Sequence, residues 1–132
     1  LWLLSALSPE WVQPGSTIEA RSEPTAFGPV SLKVTAGARA LTLELPESFR
    51  QAPQRLLVRV PWFWELVAAT VDGQPVESEG NVVSVPVGAK LLRLEGSLSP
   101  DTPPYSYEQA VADYKAEYRR RWERFVRTGN RL

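Results

Sequence analysis

Residues 56–96 read LLVRVPWFWELVAATVDGQPVESEGNVVSVPVGAKLLRLEG, and this stretch decides the fold. In an extended chain Leu56, Val58 and Val60 point one way and Arg55, Leu57 and Arg59 the other, the period of a pleated strand. Pro61 has no backbone N–H to give a ladder, so it belongs at a strand end, a bulge or an edge. Residues 67–71 form the next apolar run, and Asp72-Gly73 closes it as a two-residue hairpin turn, because a type I′ turn needs positive φ at both central positions. Gln74 to Glu77 returns, Gly80-Asn81 turns again, Val83, Val85 and Val87 alternate, and Leu92 and Leu94 complete a last strand after Gly88. Short strands at this spacing, cut by Gly and Pro, predict an antiparallel sheet protein rather than βαβ units.

The same grammar extends upstream. Thr17 to Arg21 alternates until Pro24, which is expected to end that strand. Val30, Leu32 and Val34 alternate with Ser31, Lys33 and Thr35. Leu41, Leu43 and Leu45 repeat the pattern after Gly37, which predicts a hairpin. Residues 47–54 form a proline-bounded loop. The opening residues Leu1 to Leu7 read as a turn or two of helix, too short to span a bilayer and lacking the basic flank of a signal peptide. Downstream, residues 97–104 are a Ser/Pro-rich linker, after which the period changes to that of a helix. Ser106 followed by Gln109 fits a capping box, and Gly129 fits a helix stop. Tyr107, Val111, Tyr114, Tyr118, Trp122 and Phe125 fall on one stripe. The expected architecture is therefore mainly β: an antiparallel β-sandwich of Ig-like or Greek-key type over 16–98, preceded by a residual helix or linker over 1–15. A linker and long amphipathic α-helix over 99–132 follow.

Composition narrows function mostly by exclusion. The chain of 132 residues is long enough for one buried core, and its 43% hydrophobic and 23% charged content is that of an ordinary globular protein. Fifteen Lys and Arg balance fifteen Asp and Glu, so no net field draws nucleic acid or anionic membrane, and neither is expected as a partner. Without Cys there are no disulfides or thiolate ligands, and without His the commonest general base and metal ligand is missing. No metal and no cofactor is expected. The absence of Met reads as a fragment or processed piece.

Three groups are candidate sites. In extended chain Trp62 and Trp64 share a face, with Phe63 opposite, and two coplanar indoles suit the C–H face of a sugar; packing is the commoner role for such a cluster. The helix carries Lys115, Arg119, Arg120, Arg121, Arg124, Arg127 and Arg131 against Glu117 and Glu123, with Glu117–Arg121 and Glu123–Arg127 at i,i+4 spacing. A solvated face explains that charge, and the aromatic stripe of Tyr114, Tyr118 and Trp122 reads as a packing or docking surface. Trp2, Leu4 and Trp11 make a further apolar surface for a partner. The carboxylates Glu10, Glu19, Glu23, Glu44, Glu47 and Glu65 are scattered, and Asp72 belongs to its turn. There is no G-x-S-x-G elbow and no phosphate-cradling glycine loop, so no catalytic residue is assigned.

The stretch SALSPEWVQPGSTIEARSEPTAFGPVSLKV, residues 5–34, resembles the segment that joins a helical-barrel catalytic domain to its C-terminal β-sandwich in several glycoside hydrolase families. The matching residues are Pro9, Trp11, Pro24, Thr25, Phe27, Gly28, Val30 and Ser31. Arg59 and Pro61 in LLVRVPWF and the hairpin phrase VDGQPV extend the likeness, which covers about residues 5–96. The resemblance implies a non-catalytic accessory module of a larger carbohydrate-active protein, packed against a covalently linked catalytic helical domain, with Trp2, Leu3 and Leu4 left from the joint. The alternatives are an independent carbohydrate-binding module using Trp62 and Trp64, and a protein–protein module docking through helix residues 107–125.

Overall fold

The structure, a computed structural model, describes residues 1–101 and 106–129. Of the expected linker over 97–104, Ser97 and Leu98 belong instead to the last strand, and residues 102–104 lie outside the described residues, as does Arg131 of the basic helix face. The fold is mainly β, with ten strands in two sheets and one C-terminal helix among the described residues. The strands are β1 (Trp2–Leu3), β2 (Thr17–Thr25), β3 (Gly28–Ala36), β4 (Ala40–Glu44), β5 (Leu56–Arg59), β6 (Trp64–Val71), β7 (Gln74–Val76), β8 (Ser78–Glu79), β9 (Val82–Val85) and β10 (Leu91–Leu98). A 3₁₀ turn spans Pro9–Val12, and the helix α1 spans Tyr107–Thr128. The chain divides into two compact units, the strands in the first and the helix in the second.

One sheet has six strands in the order β2-β3-β4-β10-β6-β7 and the other four in the order β1-β5-β9-β8. The chain passes from one sheet to the other five times, between β1 and β2, β4 and β5, β5 and β6, β7 and β8, and β9 and β10. Period-2 alternation sets which side chains go inward. Leu41, Leu43, Leu92 and Leu94 from the larger sheet and Leu56, Val58, Val83 and Val85 from the smaller one are all fully buried in a single apolar cluster. No polar or charged residue is buried among the described residues. Core cohesion is thus apolar burial, at about 25 cal/mol per Å² removed from water.

The expected hairpins form. β3 pairs antiparallel with β4, and β6 with β7 across Asp72-Gly73, where φ is +48° and +84°. Pro24 does not end its strand. It lies inside β2, which is the outermost strand of its sheet, where a missing N–H costs no ladder bond. Pro75 is tolerated in the opposite outermost strand, β7, for the same reason.

The N-terminal segment departs from expectation. Residues 1–7 form no helix; Trp2–Leu3 instead pair parallel with Leu57 and Val58 of β5. The Leu57 N–H donates to the Leu1 carbonyl at 2.8 Å, and the amino terminus donates to the Arg55 carbonyl at 3.1 Å. An apolar run this short has weak helix propensity, and burying Leu3 in the core decides its conformation instead. This is the one parallel pair in the described strands.

Candidate functional site

The Trp62-Phe63-Trp64 stretch is not extended, and its two indoles do not share a face. The Trp64 N–H donates to the Pro61 carbonyl at 3.0 Å, closing a tight turn. The turn sends Phe63 fully inside and leaves Trp62 71% exposed, while Trp64, at the start of β6, is only 5% exposed. Trp62 stands edge-on to Phe63, with ring centroids 5.4 Å apart and planes at 85°. The expected platform of two coplanar indoles is thereby corrected to a single exposed indole. Trp64 is a core residue whose Nε1–H has no hydrogen-bond partner among the described residues.

The N-terminal aromatic residues are placed by β1 and the 3₁₀ turn. Trp2 is half exposed on the outer face of the four-stranded sheet, beside its register partner Leu57, and the Arg59 guanidinium lies 5.1 Å over its ring. That cation–π contact fixes the indole's orientation at a surface where such contacts are worth about 0.5–1 kcal/mol. Trp11 is also half exposed; its carbonyl accepts from the Ser16 hydroxyl at 2.7 Å. Leu4 is partly buried against the core, at φ +57°. The role of Arg59 was hidden in sequence, because parallel pairing of β1 with β5 is what brings it to Trp2.

The helix is built as its sequence dictates at both ends. The Ser106 hydroxyl accepts from the Gln109 N–H at 3.0 Å, and Gly129, at φ +69°, donates to the Phe125 carbonyl at 2.7 Å. The reciprocal half of the expected capping box is replaced: the Gln109 side chain donates to Asp113 at 2.9 Å instead. Along the stripe Tyr114 is 72%, Tyr118 61% and Trp122 55% exposed, and no residue of the helix is buried. Tyr114, Tyr118 and Trp122 share a shallow groove with Lys115 and Arg119. Glu117 binds both Arg120 and Arg121 at 2.8 Å, whereas no ion pair joins Glu123 to Arg127. The hydrogen bond from Arg121, with the charge of Arg120, holds the Glu117 carboxyl below the usual carboxylate range.

Three of the strand-unit carboxylates are held in ion pairs. Glu19 is held by Arg21 at 2.8 Å, Glu44 by Lys33 at 3.1 Å and Glu95 by Arg93 at 3.1 Å, all at the surface. Glu19, Glu44, Glu47, Lys33, Ser22 and Ser31 border an open hollow of about 430 Å³. The hydrogen bond from Arg21 pushes the Glu19 carboxyl down, the opposite direction from the raised value a general acid needs near neutrality. Among the described residues no group of three or more His, Cys, Asp or Glu is placed to hold a metal ion. No helix among them is long and apolar enough to cross a membrane.

Exposed aromatic rings lie beside guanidinium groups at Trp2, with Arg59, and along the helix stripe, with Arg119. No protein family, curated protein or solved structure matches the chain.

Proposed function

We propose that this chain is a non-catalytic accessory module of a larger carbohydrate-active protein, one that packs against a catalytic helical domain. The observation that carries the reading is the exposure of Trp2 and Trp11 on a strand unit that buries no polar or charged residue among those described. Large aromatic side chains left open to water mark docking surfaces more often than isolated aliphatic ones do. Trp2 lies beside, and Trp11 within, the stretch that by its likeness to the glycoside hydrolase joint would meet the catalytic barrel. A β-sandwich of Ig-like or Greek-key type is the architecture this reading uses, and two sheets feeding one apolar cluster support it.

The test is direct. The adjoining helical domain, added to or expressed with this chain, is expected to shield Trp2 and Trp11 from acrylamide, while the isolated chain turns over no chromogenic glycoside. Unchanged quenching on addition of that domain, or turnover by the chain alone, overturns the proposal. Titration with oligosaccharides separates the carbohydrate-binding alternative. With Trp64 buried, Trp62 is the one member of that pair open to a sugar, and a fluorescence change lost in Trp62→Ala would favour that alternative.

A second reading rests on a separate observation. The exposed stripe Tyr114, Tyr118 and Trp122 on α1 makes the helix a protein-docking element in its own right.

A further inference from the structure

Taking α1 as a docking element, we propose that its partner is a second copy of the same helix, paired antiparallel through the aromatic stripe. The argument starts from how charge is distributed along the helix. Residues 107–117 carry Glu108, Asp113 and Glu117 against Lys115, a net charge of −2. Residues 118–128 carry Arg119, Arg120, Arg121, Arg124 and Arg127 against Glu123, a net charge of +4. The macrodipole favours this polarity only within the first and last turns. Asp113, Glu117 and the run Arg119-Arg120-Arg121 lie in the middle turns, beyond its reach. Their arrangement is complementary to its own reverse. Laid antiparallel, each acidic half faces a basic half; laid parallel, like charges meet along the whole length, which is unfavourable.

The apolar side agrees with the charges. Tyr107, Val111, Tyr114, Tyr118, Trp122 and Phe125 succeed one another at steps of four and three, the spacing of a helix–helix seam. They run nearly the full 22 residues, about 33 Å. Aromatic side chains can each bury about 150–250 Å², so if about half of that is covered on five rings, two helices together remove roughly 1,000 Å². That lies at the lower bound of a specific interface and predicts a weak, reversible dimer. Three of the rings are tyrosines, whose hydroxyls can stay wet at the rim. An anionic lipid surface fits less well, since the acidic half would be repelled by it.

Sedimentation of the full chain over rising concentration tests the proposal. The expected result is a reversible monomer–dimer equilibrium that weakens at high salt, with Tyr118→Arg and Trp122→Arg each raising the dissociation constant about tenfold or more at unchanged far-ultraviolet circular dichroism. Orientation is read by energy transfer. The natural chain has no Cys, so Gln109→Cys and Arg127→Cys chains each take one label. Strong transfer between a label at 109 and one at 127, and weak transfer between two labels at 109, supports the antiparallel pair. The reverse pattern overturns it. A chain that stays monomeric, or that floats with anionic vesicles as a monomer, also overturns it. In a monomer, Trp122 emission, obtained as the difference from Trp122→Phe, then separates the two claims. If acrylamide reaches Trp122, the second copy is ruled out and the docking-helix reading survives; if Trp122 is shielded, both fall.

Discussion

Two residues show how little slack the strand unit has. Gly96 sits at the bulge in β10, where its N–H donates to the Arg39 carbonyl at 2.9 Å and the ladder to β6 shifts register. A methyl group there would run into the Glu65 carbonyl oxygen and lie 2.8 Å from Trp64 Nε1. Glu65 O is backbone in a central pair of strands and has nowhere to go. Gly96→Ala is therefore expected to cost about 1–3 kcal/mol or more as overpacking, measured by urea unfolding; an unchanged midpoint would refute it. Asp72 does more than its turn position requires. Its carboxylate accepts from the Lys90 N–H at 3.1 Å and the Leu91 N–H at 2.9 Å, tying the β6–β7 turn to the start of β10. Asp72→Ala loses both acceptors and keeps a positive φ, and should cost about 1–3 kcal/mol. Asp72→Asn retains an acceptor oxygen and tolerates that φ, so its unfolding midpoint should fall much less. Equal losses in the two variants would mean that backbone strain, not the clamp, is what matters.

Among the elements, α1 carries a carboxylate whose ion pairs tie its helix to pH. The Glu117 carboxyl is held low by the hydrogen bond from Arg121 and the charge of Arg120. A depressed carboxyl stabilises the folded form above its unfolded value, and that contribution is lost as pH falls through the folded value. The helical circular dichroism signal should thus hold from neutrality through the ordinary Glu range and decline only below it. Glu117→Gln should show less helix at neutral pH and a flatter acid limb; an acid limb identical to that of the natural chain would contradict the assignment. The strands and this helix were legible because period 2 and period 3.6 are local signals, and the caps Ser106 and Gly129 are local too. Three features were not. β1 is made by a partner strand more than fifty residues away, so Leu1 to Leu7 carry no strand signature of their own. The bulge at Ser22, whose N–H donates to the Ser31 hydroxyl at 3.0 Å, depends on register between strands. The pairing of Trp62 with Trp64 failed because Pro61 opens a turn where alternation assumes extended chain. The aromatic candidates on the helix were readable one by one, whereas the contact of Arg59 with Trp2 needed the fold.

For the molecule as a whole, the decisive fact is that two sheets contribute to one apolar cluster. The smaller sheet has strands of only two to four residues, and its Leu56, Val58, Val83 and Val85 are buried in the same cluster as Leu92 and Leu94. A sheet that short has too few ladder bonds to persist alone. The five chain passages between sheets also mean that neither can loosen without pulling on loops anchored in the other. The strand unit should accordingly unfold in one transition. Leu56→Ala and Leu92→Ala, in different sheets, should each cost about 2–5 kcal/mol, with near- and far-ultraviolet signals still moving together. Hydrogen exchange provides the sharper reading: amides of β5 and β9 should show opening free energies close to those of β4 and β10. If β5 and β9 exchange through a much cheaper opening, the smaller sheet is an appendage rather than half of the core. Trp2, held on that sheet by its pairing with Leu57 and by Arg59, would then be a mobile surface unsuited to rigid docking.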